Sequence, residues 1–168
     1  GQRKFGVGCL IGTDIVLTCA HLLSSASEVY FLSFSAFKQR CCFKARGWII
    51  HPLFQKTPED CYDLALVLLS ESRADLKIKG EILKISAKPI EISTLNDKEF
   101  VMYGYIVLNK QSRSPRWGLV SQVRKMGGST DLSIDEGTPV MTGDYAKTIV
   151  GVCLGKGRTA YIDADRHK

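Results

Sequence analysis

The chain is built from short apolar segments, many of them alternating apolar with polar residues, and turn-forming residues separate them. A period of two is typical of β-strands, whereas an amphipathic helix repeats its apolar residues every 3.6 positions. Long segments of helical period do not interrupt the series. The pattern therefore predicts an all-β fold. The predicted strands are Phe5–Ile11, Ile15–Thr18, Glu28–Phe34, Cys42–Ile50, Asp63–Leu69, Phe100–Leu108, Arg116–Arg124, Pro139–Met141, Thr148–Leu154 and Thr159–Ile162.

A polar stretch over residues 86–98 divides these strands into two sets of similar size. Two small antiparallel barrels packed against each other fit that division. We therefore predict an N-terminal barrel over residues 1–85, a connector over residues 86–98 and a C-terminal barrel over residues 99–168.

Composition excludes several classes of protein. With 168 residues, 45% of them hydrophobic, the chain can bury a core without disulfides or a metal, which excludes a disordered chain or a disulfide-dense miniprotein. Apolar runs fall short of the roughly 18 to 20 residues of a membrane helix, so we expect no membrane association. The net charge of +6 is scattered rather than clustered, which leaves nucleic-acid binding through a basic surface as an alternative function.

The six cysteines include no CxxC pair, and Cys41 and Cys42 are adjacent, a poor arrangement for a disulfide between them. Cys9, Cys19 and Cys153 lie inside apolar runs, where a thiol behaves as a small core hydrophobe. We therefore expect reduced thiols, an intracellular location in cytoplasm or nucleus, and neither a metal nor a cofactor.

Three segments carry residues capable of chemistry. His21 directly follows an apolar strand, and Asp63 stands at the mouth of the apolar run Leu64–Leu69. A buried carboxylate needs a partner because its desolvation is costly, and His21 is the obvious candidate. The third segment, Ser133–Val140, is a polar turn that leads into a strand.

In this order the segments resemble the chymotrypsin/trypsin-like serine peptidase family. Leu17–His21 is similar to that family's motif around the catalytic histidine, and Ile50–Pro52 followed by Asp63–Leu66 is similar to the segment around its catalytic aspartate. Val150–Gly155 resembles a strand that follows the nucleophile turn, and Phe100–Tyr105 more loosely resembles a glycine turn of the family. Together the matches cover nearly the whole chain.

The resemblance fails where the nucleophile would stand. In the register of the family's G-D-S-G-G-P turn, Glu136 occupies the position of the serine, and Ile134 replaces a glycine of the oxyanion hole. A carboxylate would repel the developing oxyanion, and a β-branched residue resists the backbone conformations that glycine allows. The resemblance therefore implies a pseudoprotease, a trypsin-like domain without catalysis.

The resemblance also implies two six-stranded-type antiparallel barrels packed face to face, in one domain excised from a longer protein. A protein or peptide partner is expected in the groove between the barrels or on the barrel surface, as for a binding or scaffolding module. The groove candidates are Thr130, Cys153, Leu154 and Gly155.

Glu136 should lie near His21 with Asp63 behind it, which predicts an ion pair in place of the serine–histidine hydrogen bond. One histidine and two carboxylates could instead hold a divalent ion, although we expect no metal. The enzyme alternative is an active peptidase that uses Ser133 as a nonstandard nucleophile.

Overall fold

The computed structural model describes Lys4 and residues 6–34, 40–55, 62–71, 84–85, 99–107, 117–125, 136–137, 139–142, 149–155 and 158–161. Those ranges are mostly β-structure, with one helix of four residues. The elements are β1 (Cys9–Leu10), β2 (Ile15–Thr18), α1 (Ala20–Leu23), β3 (Tyr30–Phe34), β4 (Arg40–Ile50), β5 (Ala65–Leu69), β6 (Glu99–Val107), β7 (Trp117–Lys125), β8 (Pro139–Thr142), β9 (Ile149–Gly155) and β10 (Arg158–Tyr161).

The strands form two antiparallel sheets, one from each half of the chain. The first sheet has the order β1-β2-β5-β4-β3, and the second has the order β10-β9-β8-β6-β7. Within the first sheet, Val16 of β2 lies opposite Val67 of β5, and Trp48 of β4 lies on the other side of Val67. Each half of the sequence therefore supplies one sheet.

Every predicted strand segment overlaps a strand of the structure, which bears out the all-β class. The first strand is shorter than predicted: the apolar pattern predicts Phe5–Ile11, whereas β1 spans only Cys9–Leu10. Val7, two residues before β1, donates its N–H to the carbonyl of Glu136, which lies outside the first sheet. Closure of each sheet into a six-stranded barrel, and face-to-face packing of two barrels, stay predictions.

The first sheet is buried on both faces near β1 and β2, because adjacent residues belong to different core clusters. Leu10 and Val16 pack in a cluster within the first sheet, together with Ala20, Leu23, Phe43, Ala45, Ala65, Val67 and Leu69. Cys9 and Leu17 point to the opposite face, where Cys19, Leu64, Met141, Ile149 and Val152 complete a second cluster. The second cluster joins the two sheets, since Met141 belongs to β8 and Ile149 and Val152 to β9.

A short connection at residues 84–85 also links the two halves. Ile85 forms a parallel bridge with Ile149 of β9, and the N–H of Ile149 donates to the carbonyl of Lys84 at 2.8 Å. These two residues, at the end of the predicted N-terminal barrel, thus contact the second sheet. The described part of the chain contains no helix long and apolar enough to cross a membrane.

Candidate functional site

His21 is positioned by the way the chain leaves β2. After Thr18 the chain passes through Cys19, which is extended at φ −81° and ψ 141° and caps the N-terminus of α1. Cys19 and Ala20 are completely buried, so they fix the start of the helix in the core. His21 follows within the same turn, and its side chain keeps 33% of its surface exposed.

Asp63 lies immediately before the apolar segment that becomes β5, and its side chain is only 10% exposed. One carboxylate oxygen, Oδ1, accepts the backbone N–H of His21 at 2.8 Å, and the other, Oδ2, accepts the ring Nδ1–H at 2.6 Å. Both oxygens are therefore directed at one residue. Because the carboxylate is an acceptor, the contact requires the proton to be on Nδ1.

Glu136 approaches the opposite side of the ring from the turn before β8. Its Oε2 lies 2.6 Å from His21 Nε2, and its side chain is 44% exposed. An ionised carboxylate can only accept a hydrogen bond, so Nε2 must carry a proton as well. The ring with both nitrogens protonated is the imidazolium cation, held between two carboxylates.

The pKa of His21 reflects that environment. The hydrogen bond to Asp63 has the largest effect, and with the hydrogen bond to Glu136 and the charges of both carboxylates it raises the pKa to about 9 from 6.5. Partial burial of the ring opposes this rise, since desolvation disfavours the cation. At neutral pH the ring is therefore protonated.

Two linked hydrogen bonds, which together form a clasp made by Val7 and Thr18, hold the turn that carries Glu136. Val7 donates its N–H to the Glu136 carbonyl at 2.8 Å, and the Thr18 hydroxyl donates to the Val7 carbonyl at 2.8 Å. Gly137 adopts a φ of 91°, and a Cβ there would overlap the Val7 carbonyl and lie 2.7 Å from Thr18 Oγ1. Only glycine fits this close approach without strain.

The sequence reasoning missed Val7, Thr18 and Gly137, which fix the backbone at Glu136. Val7 and Thr18 lie more than 100 positions from the turn that they hold, so no local pattern connects them to it. The available signal was Gly137 itself, because a glycine after a polar pair in a tight turn indicates a positive φ.

Cys19, His21 and Asp63 form a group whose candidate ligand atoms all lie within 4.8 Å of one another. The histidine Nδ1 and Asp63 Oδ2 are 2.6 Å apart, a hydrogen-bond distance. Two ligands of one tetrahedral zinc ion, each bonded at about 2.0 to 2.1 Å, stand roughly 3.3 Å apart. The pair would have to separate, and the ring would have to lose a proton, so the arrangement fits an ion pair better than a metal centre.

The other predicted site residues divide into two groups. Cys153, Leu154 and Gly155 form the end of β9, where Gly155 pairs with Arg158 of β10. Thr130, Ser133 and Ile134 lie outside the described residues, so the fourth groove candidate, the alternative nucleophile and the oxyanion position stay predictions. The structure thus brings together His21, Asp63 and Glu136 from three distant parts of the sequence.

No sequence-family model matches this chain, and no curated protein sequence matches it either. Solved structures do match. Neuropsin, described as a serine protease expressed in the limbic system of mouse brain, aligns with a TM-score of 0.66 at 16% sequence identity. The alignment covers 96% of this chain and 84% of neuropsin. The chain has the trypsin-like fold.

At 16% identity the likeness establishes the fold alone. The trypsin-like fold accounts for the mostly β composition of the chain. The fold does not establish a peptidase activity, because the same fold hosts unrelated functions.

Proposed function

We propose that this trypsin-like domain is a pseudoprotease, which has no peptidase activity and serves as a protein-binding or scaffolding module. The observation that carries the proposal is the 2.6 Å contact between His21 Nε2 and Glu136 Oε2. In a serine peptidase the histidine nitrogen that faces away from the aspartate removes the proton of the nucleophile. Here a carboxylate occupies that nitrogen.

The protonation state of the ring supports the same conclusion. A general base needs a free lone pair, and a histidine whose pKa is raised to about 9 has none at neutral pH. The Glu136 carboxylate does not replace a serine, because its negative charge opposes the oxyanion that forms during acyl transfer. Ile134, at the oxyanion position, adds a second proposed defect.

Binding does not depend on these lost groups. An extended peptide can add to a sheet through backbone hydrogen bonds, and such pairing needs neither a nucleophile nor an oxyanion hole. We assign the docking site to the groove candidates at the end of β9, Cys153–Gly155, together with Thr130. The partner is a protein or peptide, and two packed barrels would provide the groove.

An intracellular location is part of the proposal. Cys9 is buried with a free thiol, burial raises its pKa to about 12, and Cys42 is a free thiol at the surface. An exposed reduced thiol persists most readily in a reducing compartment. A peptidase using Ser133 and a nucleic-acid-binding domain stay the alternatives.

Labelling with a fluorophosphonate probe tests for loss of catalysis. We expect the chain to remain unlabelled from pH 6 to pH 10, with active trypsin as a positive control. Labelling that disappears in Ser133→Ala would contradict the proposal and establish the alternative nucleophile.

Selection of extended peptides from a displayed random library tests for binding. Affinity for a selected peptide should survive in folded His21→Ala, which removes the imidazole between Asp63 and Glu136, and should be lost in Gly155→Trp, which adds bulk to the groove strand. If both variants bind the peptide as the unmodified chain does, the groove is not the docking site.

A further inference from the structure

A cavity of about 740 Å³ lies between the first sheet, α1 and the segment before β1. Its volume falls within the roughly 300 to 1,000 Å³ typical of small-molecule sites. His21, Asp63 and Glu136 do not line it, although Val7 and Thr18, which hold the Glu136 turn, form part of its wall.

The lining is divided between an apolar interior and a polar entrance. Val16, Leu23 and Val67 are buried core residues that line the cavity, and Phe31 packs against the same core. Four of the polar lining residues, Lys4, Ser25, Ser27 and Glu28, are exposed and stand at the solvent side. Thr18 also lines the cavity but is buried, and its hydroxyl donates to the Val7 carbonyl. A ligand that fits this division has an apolar body and a polar head.

The charged residues at the entrance favour a ligand whose polar head group is negatively charged. Lys4 donates from Nζ to Ser25 Oγ at 3.3 Å, and among the described residues it makes no ion pair. An ammonium group has three donors, so two remain for an anion. Glu28, the acidic lining residue, is instead paired with Lys44 at 3.6 Å.

From these observations we propose that the cavity binds a free long-chain fatty acid. The acyl chain lies against Val16, Leu23 and Val67, and the carboxylate accepts hydrogen bonds from Lys4 and Ser25. The apolar interior supplies affinity by removing the chain from water, and the lysine fixes the orientation.

Titration of the whole chain with cis-parinaric acid, a fluorescent fatty acid, below its micelle concentration tests the proposal. We expect saturable binding that dodecanoate displaces. Lys4→Gln should weaken binding by on the order of tenfold, because a charged hydrogen bond is lost. The methyl ester of the acid should bind the unmodified chain as weakly as the acid binds Lys4→Gln. Lys84→Gln removes an exposed lysine that does not line the cavity, and it should leave binding unchanged.

A filled cavity provides the second arm. Ala26 lines the cavity, and Ala26→Trp should abolish binding while far-ultraviolet circular dichroism stays unchanged. If Ala26→Trp does not fold, Ser27→Trp, at an exposed position of the lining, takes its place in the binding assay. Absence of saturable binding, full affinity in Lys4→Gln, full affinity in a folded tryptophan variant, or binding only to phospholipid vesicles would each overturn the proposal.

Discussion

The Asp63 side and the Glu136 side of the His21 ring share a hydrogen-bond length of 2.6 Å but differ in their surroundings. Asp63 is 10% exposed and also accepts the backbone N–H of His21, whereas Glu136 is 44% exposed and makes a single contact with the ring. A short distance therefore does not measure the energy of an ion pair. Burial and the number of satisfied groups do.

The same comparison separates the two halves of the chain. Asp63 and His21 both come from the N-terminal half, where His21 lies in α1 after β2 and Asp63 lies just before β5, and buried residues stand next to each of them in the chain. Glu136 comes from the other half and reaches His21 through a turn clasped by Val7 and Thr18. We expect the Asp63 contact to be structural, and the Glu136 contact to set the protonation and chemistry of the ring.

Asp63→Ala is expected to have the largest effect. It leaves the His21 backbone N–H and the ring Nδ1–H without their acceptor in a partly buried place, so the free energy of unfolding should fall by about 3 to 5 kcal/mol. Urea unfolding measures the change. The matched control is Asp14→Ala, whose carboxylate pairs with the exposed Arg46 at 3.1 Å and should contribute less than about 1 kcal/mol. Equal losses in the two variants would contradict the difference in burial.

Gly137→Ala tests the Glu136 side through its backbone. A side chain at φ 91° costs about 1 to 2 kcal/mol, and the overlap with the Val7 carbonyl must move the turn, so we expect a total loss of about 2 to 3 kcal/mol. Gly47→Ala is the control, since a Cβ at that position meets nothing within 4 Å. A Gly137→Ala variant as stable as Gly47→Ala would show that the clasp does not hold the turn.

The pH dependence of stability reports on both contacts together. Because the pKa of His21 is higher in the folded chain, its stabilisation is fully present below pH 6.5 and is lost as the pH rises through about 9. With one third of the ring exposed, we expect this loss to be about 1 to 2 kcal/mol. Unfolding curves of the unmodified chain and of His21→Gln, recorded between pH 6 and pH 10, isolate it. Parallel curves for the two proteins would refute the linkage.

Glu136→Gln should have the smallest effect on stability. The amide can still contact Nε2, and the lost charge is partly exposed, so the free energy of unfolding should fall by about 0.5 to 1 kcal/mol. This loss should shrink in 1 M salt, where exposed charges are screened, while the loss in Asp63→Ala should persist. Glu28→Gln, at an exposed glutamate paired with Lys44, is the control for general charge effects. A loss in Glu136→Gln that does not depend on salt would place Glu136 in the same class as Asp63.

The sequence located the strands because alternation and turn residues are local signals. Ile15–Thr18 was predicted with the bounds of β2, and only the first strand was notably too long, since Val7 binds the Glu136 turn. Helix α1 was not predicted, because four residues are too short for a helical period to show.

The approach of Glu136 to His21 came from the family resemblance, not from any spacing within the chain. The clasp of Val7 and Thr18 on the turn, and the cavity beside α1, depend on contacts between distant residues. Such tertiary contacts leave no periodic pattern in the sequence.

In the arrangement described above, His21 is an imidazolium cation whose two ring protons are held by Asp63 and Glu136. Nitrogen-15 NMR of the histidine side chains measures this directly. At pH 7.5 both ring nitrogens of His21 should show the chemical shifts of protonated imidazole, with a titration midpoint near pH 9 that falls in Glu136→Gln. A neutral ring at pH 7.5, with a midpoint at or below about 6.5, would contradict the account and restore His21 as a candidate base.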